Sequence, residues 1–363
     1  RSVALVGASQ LALSKDSQII FGVLATLAAS VWCWRAVAAR LVWQELDASK
    51  WLLWPMMLIV LFYQLSQQQI FAAGWQNLAW CAALPAAAAL LWRDGPSLPP
   101  RINRLAHLSL FWMVLLALAM ELFWFTRDLP WGMSAWASGL MMAAGGGLIF
   151  LVSEAVHRQI WPFRVWPGLY ASQAMIPVAV ALGCLLTLTN VQDGTVYGQT
   201  YLPLINPLEE GAAFALLGLT IFYRVSRRYF PLQLSVCRPW PAIALLALGF
   251  WWLNGLLLRA LAWYGEVAWN IEALWHSRLI QTTFALVWTL AALAVMLRAT
   301  RRHSRREWLC GAALLGVVIV KLMLVDSARG GGLARAVAFI GVAILVLIVG
   351  YFSPLPPQAG EEK

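Results

Sequence analysis

The chain has 363 residues, of which 61% are hydrophobic and 12% are charged, and its formal net charge is +10. A soluble domain carries about a quarter charged residues, so this composition excludes an ordinary soluble globular protein. The basic residues lie in short clusters between apolar runs, a pattern that orients helices in a membrane and argues against nucleic-acid binding. We therefore expect membrane lipids to be its main partner.

Apolar runs long enough to cross a hydrocarbon layer of about 30 Å as a helix recur along the whole chain. They predict an all-α, polytopic transmembrane bundle of about eleven spans. An outer segment (residues 1–18) is expected before the helical domain (19–352), and a cytoplasmic tail (353–363) after it. In chain order the predicted spans are residues 19–34, 51–65, 70–92, 105–125, 131–152, 169–189, 208–223, 240–264, 279–297, 308–325 and 333–351.

Every second loop between these spans is basic, which predicts the orientation of the chain. By the positive-inside rule the amino terminus lies outside and the carboxyl terminus inside. Because the chain starts at Arg1 without a secretory signal, a processed chain or a piece of a longer protein is expected. The basic loops contain Arg35, Arg40, Lys50; Arg93, Arg101, Arg104; His157, Arg158, Arg164; Arg224, Arg227, Arg228, Arg238; and Arg298, Arg301, Arg302, Arg305, Arg306.

Two groups of small residues are interpreted as packing residues. The run Gly145, Gly146 and Gly147 interrupts the fifth span and favours close helix packing, with gating as the alternative. The five cysteines have no metal-ligand spacing and are predicted to be small core residues. No metal site and no cofactor are predicted. The cysteines are Cys33, Cys81, Cys184, Cys237 and Cys310.

Ionisable residues inside spans are costly in lipid and are often functional. Here they gather near the predicted outer ends of spans, where they form a candidate substrate-binding layer. The alternative is that each group snorkels to the interface or joins an ion-pair layer that only holds helices together. The candidate substrate-binding residues are Arg259, Arg278, Lys321, Asp326, Arg335, Glu121 and Asn254.

Two further residues are candidates for acid–base chemistry at this outer boundary. Asn206, Pro207 and Glu209 resemble a capping box, so Glu209 has a structural explanation. The adjacent Glu210 has none and is the better catalytic candidate. His276 is the other, because an imidazole is the side chain most suited to proton transfer near neutral pH, although a structural role is the alternative. No nucleotide-binding loop, serine-hydrolase elbow or zinc-protease motif is present.

Several stretches in the second half resemble a family of large, multi-spanning bacterial membrane proteins of unknown function. The resemblance covers roughly residues 201–357 and implies a bacterial cytoplasmic-membrane location and a role in the cell envelope, without a catalytic assignment. Members are typically longer, which implies that this chain corresponds to a carboxyl-terminal part. The stretches are Asn254-Gly-Leu-Leu-Leu-Arg259, Leu274-Trp-His-Ser-Arg278, Val320-Lys-Leu-Met-Leu-Val-Asp326, Tyr201-Leu-Pro-Leu-Ile-Asn-Pro207 and Ser353-Pro-Leu-Pro-Pro357.

Three functions remain open from these observations. The first is a transporter or flippase of an anionic, envelope-related molecule held by the cations of the polar layer. The second is a membrane-embedded transferase acting on a lipid-linked glycan, with Glu210 or His276 as the base. The third is a structural or assembly protein whose polar layer specifies helix packing. Transport ranks first because no reaction motif is present.

Overall fold

The structure is a computed structural model that describes residues 15–43, 47–66, 78–128, 134–196, 200–229 and 240–321, together with residues 340, 341, 343, 344, 347 and 351. Every regular element in this part of the chain is helical, as predicted. The chain divides into two compact units, Arg1–Leu257 and Leu258–Lys363. Each unit is described below by itself.

Helices α1 to α8 belong to the first unit, and α9 begins in it and ends in the second. Their bounds are α1 Lys15–Leu41, α2 Leu53–Ser66, α3 Leu78–Asp94, α4 Pro100–Asp128, α5 Ser134–His157, α6 Pro167–Ala171, α7 Ile176–Leu188, α8 Pro207–Tyr229 and α9 Trp240–Tyr264. The second unit continues with α10 Ile271–His276, α11 Arg278–Arg301 and α12 Arg305–Lys321.

Six helical segments of the described chain are long and apolar enough to cross a membrane: Gly22–Leu41, Pro100–Arg127, Ala135–His157, Pro167–Val191, Trp240–Tyr264 and Arg278–Arg301. The chain is therefore an all-helical membrane protein, whereas the count of about eleven spans and the orientation stay predictions. Within the described residues, helix α2 covers 14 residues and α3 and α12 cover 17 each. Helix α8 has acids in its first turn and arginines in its last.

The first four helices share one hydrophobic core in the first unit. Leu24 of α1, Met57 of α2 and Leu90 of α3 are completely buried in it. Inside this core the Trp80 indole N–H donates to Gln64 Oε1 at 2.7 Å. A buried indole needs such an acceptor, so this hydrogen bond lets α2 and α3 pack with polar atoms at their interface.

A second core of the same unit lies among α4 to α9. Met142 of α5, Leu182 of α7 and Leu208 of α8 are its buried centre. Because Leu108 and Phe111 of α4 pack against it while Met113 of the same helix is buried in the first core, α4 joins the two cores. The unit is thus one continuous body around a shared helix.

Helices α5 and α8 approach through glycines spaced seven residues apart on each helix. A Cβ added to Gly139 would collide with the Pro207 carbonyl oxygen, and one added to Gly146 would collide with that of Phe214. Conversely, a Cβ on Gly218 would lie 2.6 Å from the Gly146 Cα. The matching order of contacts shows that α5 and α8 run parallel, and it confirms the packing interpretation of the glycine run at Gly146.

The prediction that the cysteines are core residues is wrong for the four that lie in the described chain. Cys33, Cys81, Cys184 and Cys310 are all exposed on the outer surfaces of their helices. The physical reason is that hydrocarbon solvates an apolar thiol, so a membrane helix gains little by burying it. The fifth, Cys237, lies outside the described residues.

The second unit is built around the pairing of α11 and α12. Ala292, Met296 and Leu315 form its small core. The side chain of Asn270 accepts from the Ala273 N–H at the start of α10. Caps of this kind satisfy the free N–H groups of a first helical turn, so they define where the helices begin.

Candidate anion-binding cavity

A charged cavity of about 800 Å³ lies in the first unit, where the end of α1, the 3₁₀ turn Ser49–Leu52 and the end of α3 meet. Its charged lining residues are Arg35, Asp47, Lys50, Arg93 and Asp94, and its aromatic ones are Trp32 and Trp43. The charged residues of this lining belong to the first and third loops of the predicted topology, both of them basic. The structure brings the two loops together at one end of the helices.

Asp94 lies at the centre of the charged groups. Its carboxylate accepts from Arg35 Nη2 at 3.1 Å and forms an ion pair with Lys50 Nζ at 2.7 Å. Asp94 is the last residue of α3, where the helix dipole disfavours a negative charge, so the two cations offset an unfavourable position. Lys50 is only 5% exposed and also contacts Asp47 at 2.7 Å, so its ammonium group is held between two carboxylates.

The protonation state of Asp94 follows from these partners. Burial by itself raises the pKa of the Asp94 carboxyl. The hydrogen bonds and charges of Lys50 and Arg35 outweigh burial, so its pKa lies below the ordinary value of 3.8. Asp94 is therefore ionised at neutral pH, and the ion pairs that shape the cavity are fully formed there.

Trp32 forms an aromatic wall between two guanidinium groups. The Arg93 Cζ lies 5.2 Å from the Trp32 ring centroid, and the Arg35 Cζ lies 5.9 Å from it. Both distances are within the range of cation–π attraction. Arg35 is already paired with Asp94, whereas Arg93 has no carboxylate within ion-pair distance among the described residues.

The balance of charge in this cavity favours an anion. The cavity lining contains three cations and two carboxylates, so its formal net charge is +1. Arginine in a partly desolvated site binds phosphate or carboxylate through two parallel hydrogen bonds. Within the described chain no group of His, Cys, Asp or Glu side chains is arranged to hold a metal ion. The excess of cations over carboxylates makes the cavity suited to an anionic group.

The two adjacent glutamates at the start of α8 are placed differently from what the sequence suggested. Glu209 is 1% exposed and accepts from the Tyr201 hydroxyl and from the Trp252 indole N–H, each at 2.7 Å. Its carboxylate thus joins α8 to α9. The expected cap by Asn206 is present, because its side chain accepts from the Leu208 N–H at 3.0 Å. Glu210 is exposed.

Two other predicted site residues of the first unit do not reach this cavity. Glu121 is half-buried on α4 and is not part of the cavity lining. The Asn254 side chain donates to the Phe250 carbonyl one turn earlier in its own helix, at 2.7 Å. That bond lies within one helix, and ligand binding by Asn254 stays a prediction.

The remaining candidates belong to the second unit or lie outside the described residues. Arg259 is 1% exposed, whereas His276 and Arg278 are exposed. Lys321 Nζ donates to the Gln281 carbonyl at 2.9 Å and so joins α12 to α11. Asp326 and Arg335 lie outside the described residues. Convergence of these residues on one ligand stays a prediction.

The sequence interpretation missed the cavity because it used Arg35, Lys50 and Arg93 only to orient the spans. One signal could have indicated it. Asp94 is the one acid in its predicted loop, residues 93–104, among Arg93, Arg101 and Arg104, and such an acid could be expected to pair with a cation. What no pattern could supply is that Asp94 pairs with Arg35, which is 59 positions away.

Comparison with known proteins gives one match. The model of a family described as predicted membrane protein (DUF2339) matches residues 2–356. This agrees with the expected resemblance and extends it from the second half to nearly the whole chain. No curated protein and no solved structure is significantly similar to the chain.

Proposed function

The chain belongs to this family of predicted membrane proteins of unknown function, and we propose that it binds an anionic amphiphile of the cell envelope and moves it between the two leaflets of the bacterial cytoplasmic membrane. The anionic group binds in the charged cavity, and the apolar tail stays in the hydrocarbon. A flippase of this kind differs from a carrier of small solutes because its ligand never leaves the membrane.

The observation that carries the proposal is the position of Arg93. It lines the cavity with a guanidinium that has no carboxylate partner among the described residues, beside an Asp94 already neutralised by Arg35 and Lys50. Trp32 supports the Arg93 guanidinium from one side. An arginine presented in this way is preorganised for an anion, because binding requires no existing ion pair to break.

The surroundings of the cavity favour an amphiphile over a free ion. Val42 and Trp43 of its lining are exposed, and α1 beside them is one of the helices suited to cross a membrane. Apolar side chains beside a cationic wall match a molecule with a charged head and an apolar tail. By the positive-inside rule this end of the helices faces the cytoplasm, so we expect the cavity to load from the inner leaflet.

The test is a leaflet-exchange assay with the purified full chain in phosphatidylcholine vesicles. The probe is a short polyprenyl phosphate with a nitrobenzoxadiazole fluorophore, and dithionite quenches the part in the outer leaflet. The assay is run with and without an imposed pH gradient and membrane potential. We expect the protein to make the inner-leaflet pool of the probe accessible to dithionite.

Arg93→Gln should slow this exchange about tenfold, because one charge-assisted contact is lost. The matched control is Arg101→Gln, which removes an exposed arginine of the same basic loop from outside the cavity lining and should leave the rate unchanged. The uncharged polyprenol with the same fluorophore should not move. The proposal would be refuted if the inner-leaflet probe stayed inaccessible to dithionite in vesicles that contain the wild type. Equal exchange rates for the polyprenyl phosphate and the polyprenol would also refute it.

Two candidate residues of the polar layer, Arg259 and Lys321, are also part of this proposal. The predicted topology puts Arg259 and Lys321 toward the outer ends of their spans, where they would receive the anionic group, so neutralising either one should block exchange without loss of folded protein. The transferase alternative is separated by the same preparation. A covalently modified probe formed in detergent, and lost with Glu210→Gln, would assign the chain to an enzyme instead.

A further inference from the structure

A small polar pocket of about 140 Å³ lies beside the charged cavity in the first unit. Asn103 and His107, one turn apart on α4, form one side of it, and Trp92, Trp161 and Arg164 form the rest of its polar and aromatic wall. Asn103 is 7% exposed and His107 is 1% exposed. Two buried polar side chains on one face of an apolar helix are costly unless they have partners.

His107 has a protein partner, but the amide oxygen of Asn103 does not. The His107 Nδ1 and the Tyr170 hydroxyl are hydrogen-bonded at 2.9 Å, which fixes the imidazole ring. Asn103 Oδ1 is buried and has no hydrogen-bond partner within the described part of the chain. A buried acceptor without a donor destabilises a folded protein, so a donor that reached this oxygen from the pocket would remove that cost.

Gly95, in the turn that follows α3, leaves room for the Asn103 side chain. A Cβ added to Gly95 would lie 3.2 Å from Asn103 Oδ1, tighter than an ordinary contact, so any other residue at position 95 would press on the amide. The Asn103 side chain is therefore positioned by the turn that follows α3 as well as by its own helix.

The pocket is connected to the charged cavity by shared walls. Trp92 and Trp161 also line a neighbouring cavity of about 270 Å³, and Arg93 is part of that lining too. Arg93 in turn lines the charged cavity. The ring centroids of Trp92 and Trp161 are 5.0 Å apart, so the two indoles form an aromatic wall that the pocket shares with the neighbouring cavity.

We infer that the Asn103 pocket binds a hydroxyl-bearing group, a sugar or another polyol, joined to the phosphate that Arg93 holds. A sugar has apolar C–H faces that pack on indole rings and hydroxyl groups that donate to a buried amide oxygen. This inference rests on the proposed function and narrows its substrate class to a phosphate-linked polyol on a lipid tail. The competing occupant is water, which fits a pocket of this size.

The experiment measures the affinity of the purified full chain for two matched probes, dodecyl phosphate and the dodecyl phosphodiester of glucose, from the quenching of intrinsic tryptophan fluorescence. A zwitterionic detergent without sugar, lauryl dimethylamine oxide, keeps the pocket free of competing hydroxyl groups. We expect the wild type to bind the glucose phosphodiester roughly five- to tenfold more tightly than dodecyl phosphate.

Asn103→Leu should remove this preference and leave the affinity for dodecyl phosphate unchanged, whereas Arg93→Gln should weaken both probes alike. If Asn103→Leu lowers the yield of folded protein, Asn103→Ala tests the same loss of the acceptor. Equal, Arg93-dependent affinities of the wild type for the two probes would refute the sugar inference and leave the proposed function standing. Binding of neither probe would refute both.

Discussion

Arg35 Nη2 donates to Asp94 Oδ1 at 3.1 Å, and this contact joins the end of α1 to the end of α3. Two predicted spans, residues 51–65 and 70–92, separate the two loops, and an even number of crossings returns the chain to the same side of the membrane. The indole pair Trp92 and Trp161 adds the loop after α5 to the same end. Three basic loops thus meet at one end of the first unit, as the positive-inside rule requires.

This arrangement predicts which positions are labelled from the same side of the membrane. In a cysteine-free background, Arg40→Cys and Arg101→Cys should react with a membrane-impermeant maleimide from one side, and Val191→Cys, after α7, from the other. The cysteine-free background is needed because native cysteines are exposed. The measurement compares labelling of intact spheroplasts and inverted vesicles. Labelling of all three positions from one side would contradict the arrangement.

The Asp94 ion pairs should stabilise the folded protein over a defined pH range. Asp94→Asn leaves Lys50 and Arg35 without their shared carboxylate and should cost about 2 kcal/mol, less than a fully buried pair because Asp47 still contacts Lys50. Because the folded-state pKa of Asp94 is lowered, its contribution is fully present above the unfolded-state pKa of about 3.9 and is lost as the pH falls through the folded-state value.

The check on this prediction is the thermal midpoint in detergent, measured from pH 8 down to pH 4. The difference between the wild type and Asp94→Asn should be constant from pH 8 to pH 5. A matched control is Glu154→Gln, which breaks an exposed pair between Glu154 and Arg158 and should change little, since such pairs contribute little to stability. A difference that grows or shrinks between pH 6 and pH 8 would show that another group controls it.

The glycine contact between α5 and α8 can be tested with neighbouring residues. Gly146→Ala places a methyl group against the Phe214 carbonyl oxygen, whereas Gly147→Ala meets no atom within 4 Å. Both changes raise helix propensity equally, so their difference isolates the packing. We expect Gly146→Ala to destabilise the protein by about 1–3 kcal/mol and Gly147→Ala to be neutral or stabilising. Equal thermal midpoints for the two variants would show that α5 and α8 do not pack this closely.

The paired glutamates of α8 offer a second comparison of neighbours. Glu209→Gln replaces one acceptor oxygen with an NH₂ group that faces a donor, either the Tyr201 hydroxyl or the Trp252 N–H. An unmatched buried donor costs about 1–3 kcal/mol, so the thermal midpoint should fall. Glu210→Gln alters an exposed residue and should leave the midpoint unchanged. A larger fall for Glu210→Gln would reverse the roles assigned to the two residues.

Much of the fold was predictable from the sequence, because lipid leaves few choices. In the hydrocarbon layer no water can bond to the backbone, so each segment must satisfy its own backbone hydrogen bonds. Long apolar runs with few charges therefore predicted helices. The resemblance to a family of membrane proteins agreed with the family match. The number of spans was harder to predict from the sequence. A helix such as α8, which has acids in its first turn and arginines in its last, is apolar over only part of its length.

The site depended on contacts that no local pattern contains. Glu209 and Glu210 are neighbours of one type, yet about 100° of helical rotation turns one toward Tyr201 and Trp252 and the other outward. In the same way, the sequence pattern does not distinguish Arg35 from Arg93, because both are basic residues of predicted loops. The sequence by itself determined the membrane-protein class, because class follows from composition and period. Only the tertiary structure decided that Asp94 neutralises Arg35 and Lys50 and leaves Arg93 without a carboxylate partner in the described chain, because that pairing depends on which helix ends meet.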